Sequence, residues 1–187
     1  MTKQERHLSN EEALELHQEA LVIDSKQPPA TSGFIFTERM KLDLLDMDKA
    51  GYTRSQAASQ LAKIATEEIR NSESARDQYL SLWHRSGVNV ASGTYSAGIE
   101  IERAYESATE GIAQARSYID ALQGELKLIL KAKDIEDVYK SGKHGLILDF
   151  QDTLPFGTDL SKIEYFYNLG LRVVQLTYNL RNLVGDG

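Results

Sequence analysis

The chain has 187 residues, a formal net charge of -7, 41% hydrophobic and 26% charged residues, and no cysteine. Those values fit one soluble globular domain with a proper core, and the acidic balance excludes a nucleic-acid binder or a polybasic membrane patch. The cysteine count excludes disulfides and thiolate metal sites. Together with a charged N-terminus and no spanning apolar run, it points to a cytoplasmic protein without a membrane segment.

In chain order, residues 1–8 look frayed, and Ser9 with Glu12 forms a capping box for a first helix. Ala13, Leu14, His17, Ala20 and Leu21 follow helical spacing, which predicts an apolar face with His17 packed on it. Leu21–Asp24 is a short strand ending in a carboxylate, and Ser25–Ser32 is a loop because Pro28 and Pro29 forbid helix and ladder. Glu38–Ala50 is a helix with Met40, Leu44 and Met47 inward. Thr53, with Gln56, caps the next helix through Ile69; a break at Asn71–Ser74 precedes a second piece, Ala75–Arg85, in which Trp83 is an anchor.

Val88–Tyr95 alternates and reads as a strand kinked at Gly93. Glu100–Leu122 is a long helix, Leu126–Ala132 a half-buried strand, and Asp134 the cap of a short helix, Ile135–Ser141. Gly145–Gln151 is an apolar strand, Asp159–Gly170 a helix and Leu171–Asn179 a strand. Near-continuous apolar strands alternating with helices predict an α/β fold with a parallel sheet and right-handed crossovers. The chain stops just after a strand, at RNLVGDG, which predicts a fragment with more sheet to follow.

Chemistry in such folds gathers at the carboxyl ends of strands. The polar tips there are Asp24, Lys26, Asn89, Thr94, Asp149, Gln151, Gln175, Thr177, Tyr178 and Asn179. The histidines, His7, His17, His84 and His144, stand at no HxH or HExxH spacing, and no GxGxxG, P-loop or GxSxG occurs. Ser25, Ser92, Ser96 and Thr177 have no evident base beside them.

Two phrases carry a family resemblance: SGKHGLILDFQDT, and DLSKIEYFYNLGLRVVQLTYNLRNLVGDG. Gly142–Lys143, the strand Leu146–Phe150, Tyr167–Gly170 and Arg172–Thr177, with the earlier ALVIDS, resemble the renal (membrane) dipeptidase family of M19-type zinc peptidases. The match looks closest to a microbial subgroup with Phe150–Gln151 and Gln175–Asn179 phrases. The resemblance implies a metallo-dependent-hydrolase-like TIM (β/α)8 barrel, of which residues 1–187 are the N-terminal half, a single partial domain. It also implies two zinc ions, a bridging hydroxide and a dipeptide-like substrate.

The family's positions in this half are substituted. Its first-strand histidine falls on Lys26 and the following aspartate on Pro28; its bridging glutamate falls on Gln151, and a substrate-side histidine on Tyr178. A protonated ammonium has no lone pair for a cation, proline has no ligand atom, and a neutral amide lacks a carboxylate's charge. No catalytic or metal set is therefore expected intact. The pocket candidates are Asp24, Lys26, Gln151, Tyr178 and Asn179; Asp149 or Asp152 could shift in as a carboxylate ligand, and Asp149, two residues from Gln151, shares its strand face. This chain alone is expected to have no dipeptidase activity. The alternative is a metal-free homologue that binds or processes a small molecule at the barrel mouth, with the Lys26 ammonium in place of a metal charge. An open half barrel is also expected to aggregate or to form homo-oligomers.

Overall fold

The computed structural model describes residues 8–26, 28, 35–95 and 101–187. The expectations for residues 1–7, for most of the 25–32 loop, for Ser96 and for the helix start at Glu100 lie outside the described residues.

The strands are β1 Ile23–Asp24, β2 Val90–Thr94, β3 Leu126–Leu128, β4 His144–Phe150 and β5 Leu171–Val174. The helices are α1 Asn10–Glu19, α2 Glu38–Lys49, α3 Arg54–Asn71, α4 Glu73–Ser86, α5 Ala104–Ala121, α6 Ala132–Ser141 and α7 Ser161–Leu169. All strand pairs are parallel. β2 pairs with Gly145 to Asp149 of β4, whereas β3 pairs with His144 to Leu146 and β5 with Leu148 to Phe150. β2 occupies one edge of β4, so β3 and β5 lie end to end on the other. The successive barrel strands are β1, β2, β4 and β5, half of a (β/α)8 barrel. β3, expected as one strand of the series, is a short accessory to it.

Sidedness follows from the handedness of the crossovers. Leu146, Leu148 and Phe150 of β4 join the large core cluster with Ile64, Ile69, Tyr79, Trp83, Ala108, Ile112 and Phe166 from α3, α4, α5 and α7. On the opposite face, Val90 and Ile147 pack with Ile129 and with Ile135 and Val138 of α6. The step from β3 back to β4 runs opposite to the step from β2 to β4. A right-handed crossover therefore places α6 on the inner face of the sheet while the other crossover helices lie outside.

Several boundaries differ from the sequence expectation for identifiable reasons. Leu21–Val22 is not yet ladder: the Val22 amide takes the Asn89 side chain at 2.8 Å. Ser72 caps both α3 and α4, which makes the expected break a sharp corner. Gly93 is no kink; it stays in register with Leu148, and a Cβ there would meet the Tyr95 ring at 2.9 Å. Asp134 acts from inside α6, its carboxylate accepting from the Leu130 and Lys131 amides at 2.9 and 3.0 Å. Those bonds end β3 early and start α6 before the expected Ile135. A 3-10 turn at Leu154–Phe156 was not foreseen. β5 stops at Val174 because the chain beyond turns on itself: Asn182 Nδ2 and Thr153 Oγ1 both donate to the Leu176 carbonyl.

α1 keeps its capping box but buries none of its residues, with Leu14 and Leu16 55% and 58% exposed. His17, expected to be partly buried on the apolar face of α1, is exposed, and its Nε2 lies 2.8 Å from the Ser86 carbonyl. Trp83 and Met40 are fully buried as expected. At the amino end of β4, His144 Nδ1–H donates to the Val88 carbonyl at 3.0 Å, so its Nε2 accepts from His84 Nδ1 at 3.3 Å. The Trp83 ring lies 5.0 Å away.

Burial is the main cause holding the His144 imidazole below its ordinary pKa of 6.5, and a charged His84 adds to it; the Val88 bond and Glu125 oppose it. The folded state thus binds fewer protons here than the unfolded chain. This contribution is fully present above pH 6.5 and is lost as pH falls below it towards the depressed value. Urea midpoints taken across that window are expected to decline, and His144→Gln to remove that part of the slope. A slope unchanged by the substitution contradicts this.

Helix α5 approaches the end of β2 through Gly111, where a Cβ would sit 2.7 Å from the Tyr95 carbonyl oxygen. Gly→Ala inside a helix normally gains up to about 1 kcal/mol. Here the neighbour is backbone and cannot turn aside, so Gly111→Ala is expected to cost about 1–3 kcal/mol. A raised urea midpoint contradicts the close packing.

Candidate functional site at the carboxyl end of the sheet

The inner face of β2 and β4 changes from apolar to polar towards the carboxyl end. Val90 and Ile147 are followed by Ser92, Thr94 and Asp149, with Thr94 in register with Asp149. Asp149 is 4% exposed, and its two carboxylate oxygens divide between two hydroxyls. Ser92 Oγ donates to Oδ2 at 2.5 Å and Thr94 Oγ1 donates to Oδ1 at 2.6 Å. These two hydrogen bonds offset part of the cost of burying the carboxyl group. Tyr95 follows on β2; burial, with the Asp149 charge as a lesser cause, pushes its phenol well above the ordinary 10.0 and keeps it neutral.

The other sequence candidates stand at separate places on their own elements. Asp24 ends β1, and its Oδ1 accepts the Lys26 amide at 2.8 Å in a tight turn, leaving the Lys26 residue exposed. Pro28 is buried, and Gln151 follows β4 half-buried. Gln175 still donates its amide to the Phe150 carbonyl at 2.8 Å, and its side chain bonds the Thr177 carbonyl at 2.7 Å. Tyr178, 49% exposed, and the exposed Asn179 therefore belong to a turn beyond β5, not to a strand tip. Asn89 stands at the start of β2, so it is removed from the set of carboxyl-end tips. Asp152 is buried and accepts the Leu154 amide at 3.0 Å; burial pushes its carboxyl up, and it serves to start the 3-10 turn. Arg172 bonds the carbonyls of Leu130, Tyr167 and Leu171, which makes it a clamp for β5.

Sequence reading missed Ser92 and Thr94 as partners of Asp149. Their separations of 57 and 55 residues mean that only the β2–β4 register reveals the trio. Thr94 also borders a cleft of about 670 Å³ between the amino-terminal parts of α3 and α5, with Arg54, Lys63 and Arg103 on its rim.

A family model described as Membrane dipeptidase (Peptidase family M19) matches residues 10–187. The chain belongs to this family. No curated protein matches the chain. Among solved structures, it is similar to an amidohydrolase from Pseudomonas aeruginosa at 21% identity, covering 93% of this chain and 39% of that one, with a TM-score of 0.56. It is similar to dipeptidase AC, an M19 metallopeptidase, at 14% identity, covering 85% and 43% of the two chains, with a TM-score of 0.57. A metallopeptidase from Rhodobacter sphaeroides, liganded with a phosphinate mimic of the dipeptide L-Ala-D-Ala, aligns at 15% identity over 62% and 43%, with a TM-score of 0.50. These likenesses establish the fold. The chain spans about two fifths of each of these solved proteins.

The M19 family is metal-dependent, so the donor set decides whether this half can hold the metals. Among the described residues, no group of three or more His, Cys, Asp or Glu is placed to hold an ion. Lys26, Pro28 and Gln151 supply no anionic or imidazole donor at the positions where the resemblance expects one. His84 and His144 pair at the amino end of β4, away from the polar face. The residues present do not fit a zinc pair. No helix of the described residues is long and apolar enough to cross a membrane.

Proposed function

We propose that this chain forms one half of a barrel mouth that recognises a dipeptide-like small molecule, and that this half contributes recognition groups in place of the family's zinc donors. The observation that carries the reading is the inner face itself. Parallel strands of an M19 barrel bring a buried carboxylate and its hydroxyl partners to their carboxyl end, where ligands bind in such folds. The exposed Lys26 beyond β1 suits a ligand carboxylate.

In this reading the 187-residue chain hydrolyses no dipeptide by itself. A second reading, metal-assisted dipeptide hydrolysis within a longer polypeptide, is favoured by the family membership. Glycylglycine titrated into the chain, followed by NMR, separates the two. Binding is expected to be unchanged by chelator, with no glycine released, and to weaken several-fold in Lys26→Ala. Binding that appears only with added zinc overturns the metal-free reading, and an unchanged Lys26→Ala removes Lys26 from it.

A further inference from the structure

We infer that the buried Asp149 carboxylate, held between Ser92 and Thr94, is the anchor for a primary ammonium group of the ligand. The inference rests on the reading of the inner face as a small-molecule site and adds the group that this site selects.

Asp149 lies on the inner face, and its oxygens accept one hydroxyl each. A carboxylate offers roughly four acceptor positions, so about two remain. No Lys, Arg or His among the described residues forms an ion pair with it; the ion pairs involve other carboxylates. A buried charge without a cationic partner is the costly arrangement in a protein, and a ligand that brings the cation supplies the missing half. A metal would need further ligand residues, which are not grouped here among the described residues, whereas the remaining acceptor positions can take two of the three donors of a primary ammonium. Ser92 and Thr94 fix the carboxylate plane from β2, so the acceptor positions are set before the ligand arrives. Thr94 is half-exposed, so of the three side chains it is the one that reaches the surface. The α-amino group of a dipeptide has the required size and charge, and an N-acylated one lacks the charge.

The experiment follows NMR titrations of the 187-residue chain with glycylglycine, N-acetylglycylglycine and ethylammonium, repeated with Asp149→Asn. The wild-type chain is expected to bind glycylglycine at least ten-fold more tightly than its N-acetyl form and to bind ethylammonium. Asp149→Asn is expected to lose both preferences, and Ser92→Ala to weaken them several-fold. The comparison of the three probes on the wild-type chain needs no variant to fold. Ethylammonium binding without glycylglycine binding supports the anchor and overturns the dipeptide reading. Glycylglycine binding that ignores N-acetylation, or that survives in a folded Asp149→Asn, overturns the anchor alone. Binding of neither probe overturns both.

Discussion

Zinc added to the 187-residue chain is expected to find no tight site. A structural zinc site of cysteines and histidines contributes about 10–16 kcal/mol of binding. Here the positions that resemble the family's donors carry an ammonium, an imino-acid ring and an amide, and the nearby Asp149 already accepts two hydroxyls. The expected loss is most of that energy. Equilibrium dialysis with metal analysis is expected to show only weak, scattered uptake by surface carboxylates and histidines. Stoichiometric zinc retained through dialysis would contradict the donor argument. The converse also follows: Lys26→His, Pro28→Asp and Gln151→Glu made together are expected to raise zinc uptake towards one ion per chain. Failure of the folded triple variant to do so would show that these strands no longer bring the three positions together.

Phe166→Ala is expected to be the most damaging single change to stability. Phe166 is fully buried on the inward side of α7, with ring centroids 4.9 Å from Phe150, 5.7 Å from Tyr105 and 6.0 Å from Phe156. It joins β4, α5, α7 and the 3-10 turn in one aromatic cluster. Removing a buried phenylalanine costs about 3–5 kcal/mol, against a total stability of about 5–15 kcal/mol for a domain. At about 2–4 °C per kcal/mol for a chain of this size, the midpoint of thermal unfolding should fall by roughly 10 °C. Its neighbour Tyr165, more than a third exposed, is the control: Tyr165→Ala is expected to cost ~1 kcal/mol or less. Equal losses at the two positions would mean that the cluster does not carry the load assigned to it.

The parallel α/β sheet was legible because its signals are local, whereas the barrel came from the family resemblance. Gly145–Gln151 is an apolar run, the Ser9 and Thr53 boxes mark helix starts, and Gly142 and Gly170 mark helix ends. What the sequence concealed depends on register and handedness. α6 carries an ordinary amphipathic pattern, and nothing in that pattern says which face of the sheet it covers. β3 and β5 share one edge of β4 only because β4 is long enough to serve both. Leu171–Asn179 has strand-like residues throughout, yet Thr153 and Asn182 capture the Leu176 carbonyl and end the ladder at Val174. The substituted positions Lys26, Gln151 and Tyr178 could be named from the sequence, whereas the trio of Ser92, Thr94 and Asp149 required the β2–β4 register. α1 shows the reverse error, for helical spacing of apolar residues predicts a face but not a partner to cover it.

The placement of α6 also bears on ligand length. Ile135 and Val138 pack on the inner face at the level of Val90 and Ile147, so α6 covers the amino-terminal end of that face and leaves the polar end above it. Asp149 is two residues above Ile147 along β4, and Gln151 two residues higher. At ~3.3 Å per residue, each step is about 7 Å. An extended peptide advances by about 3.5 Å per residue, so two residues fill one such step. Under the anchor proposed above, a peptide with its amino group on Asp149 would reach the level of Gln151 with its second residue. On that proposal the Asp149–Gln151 spacing, counted from the ligand's amino end, suits two residues.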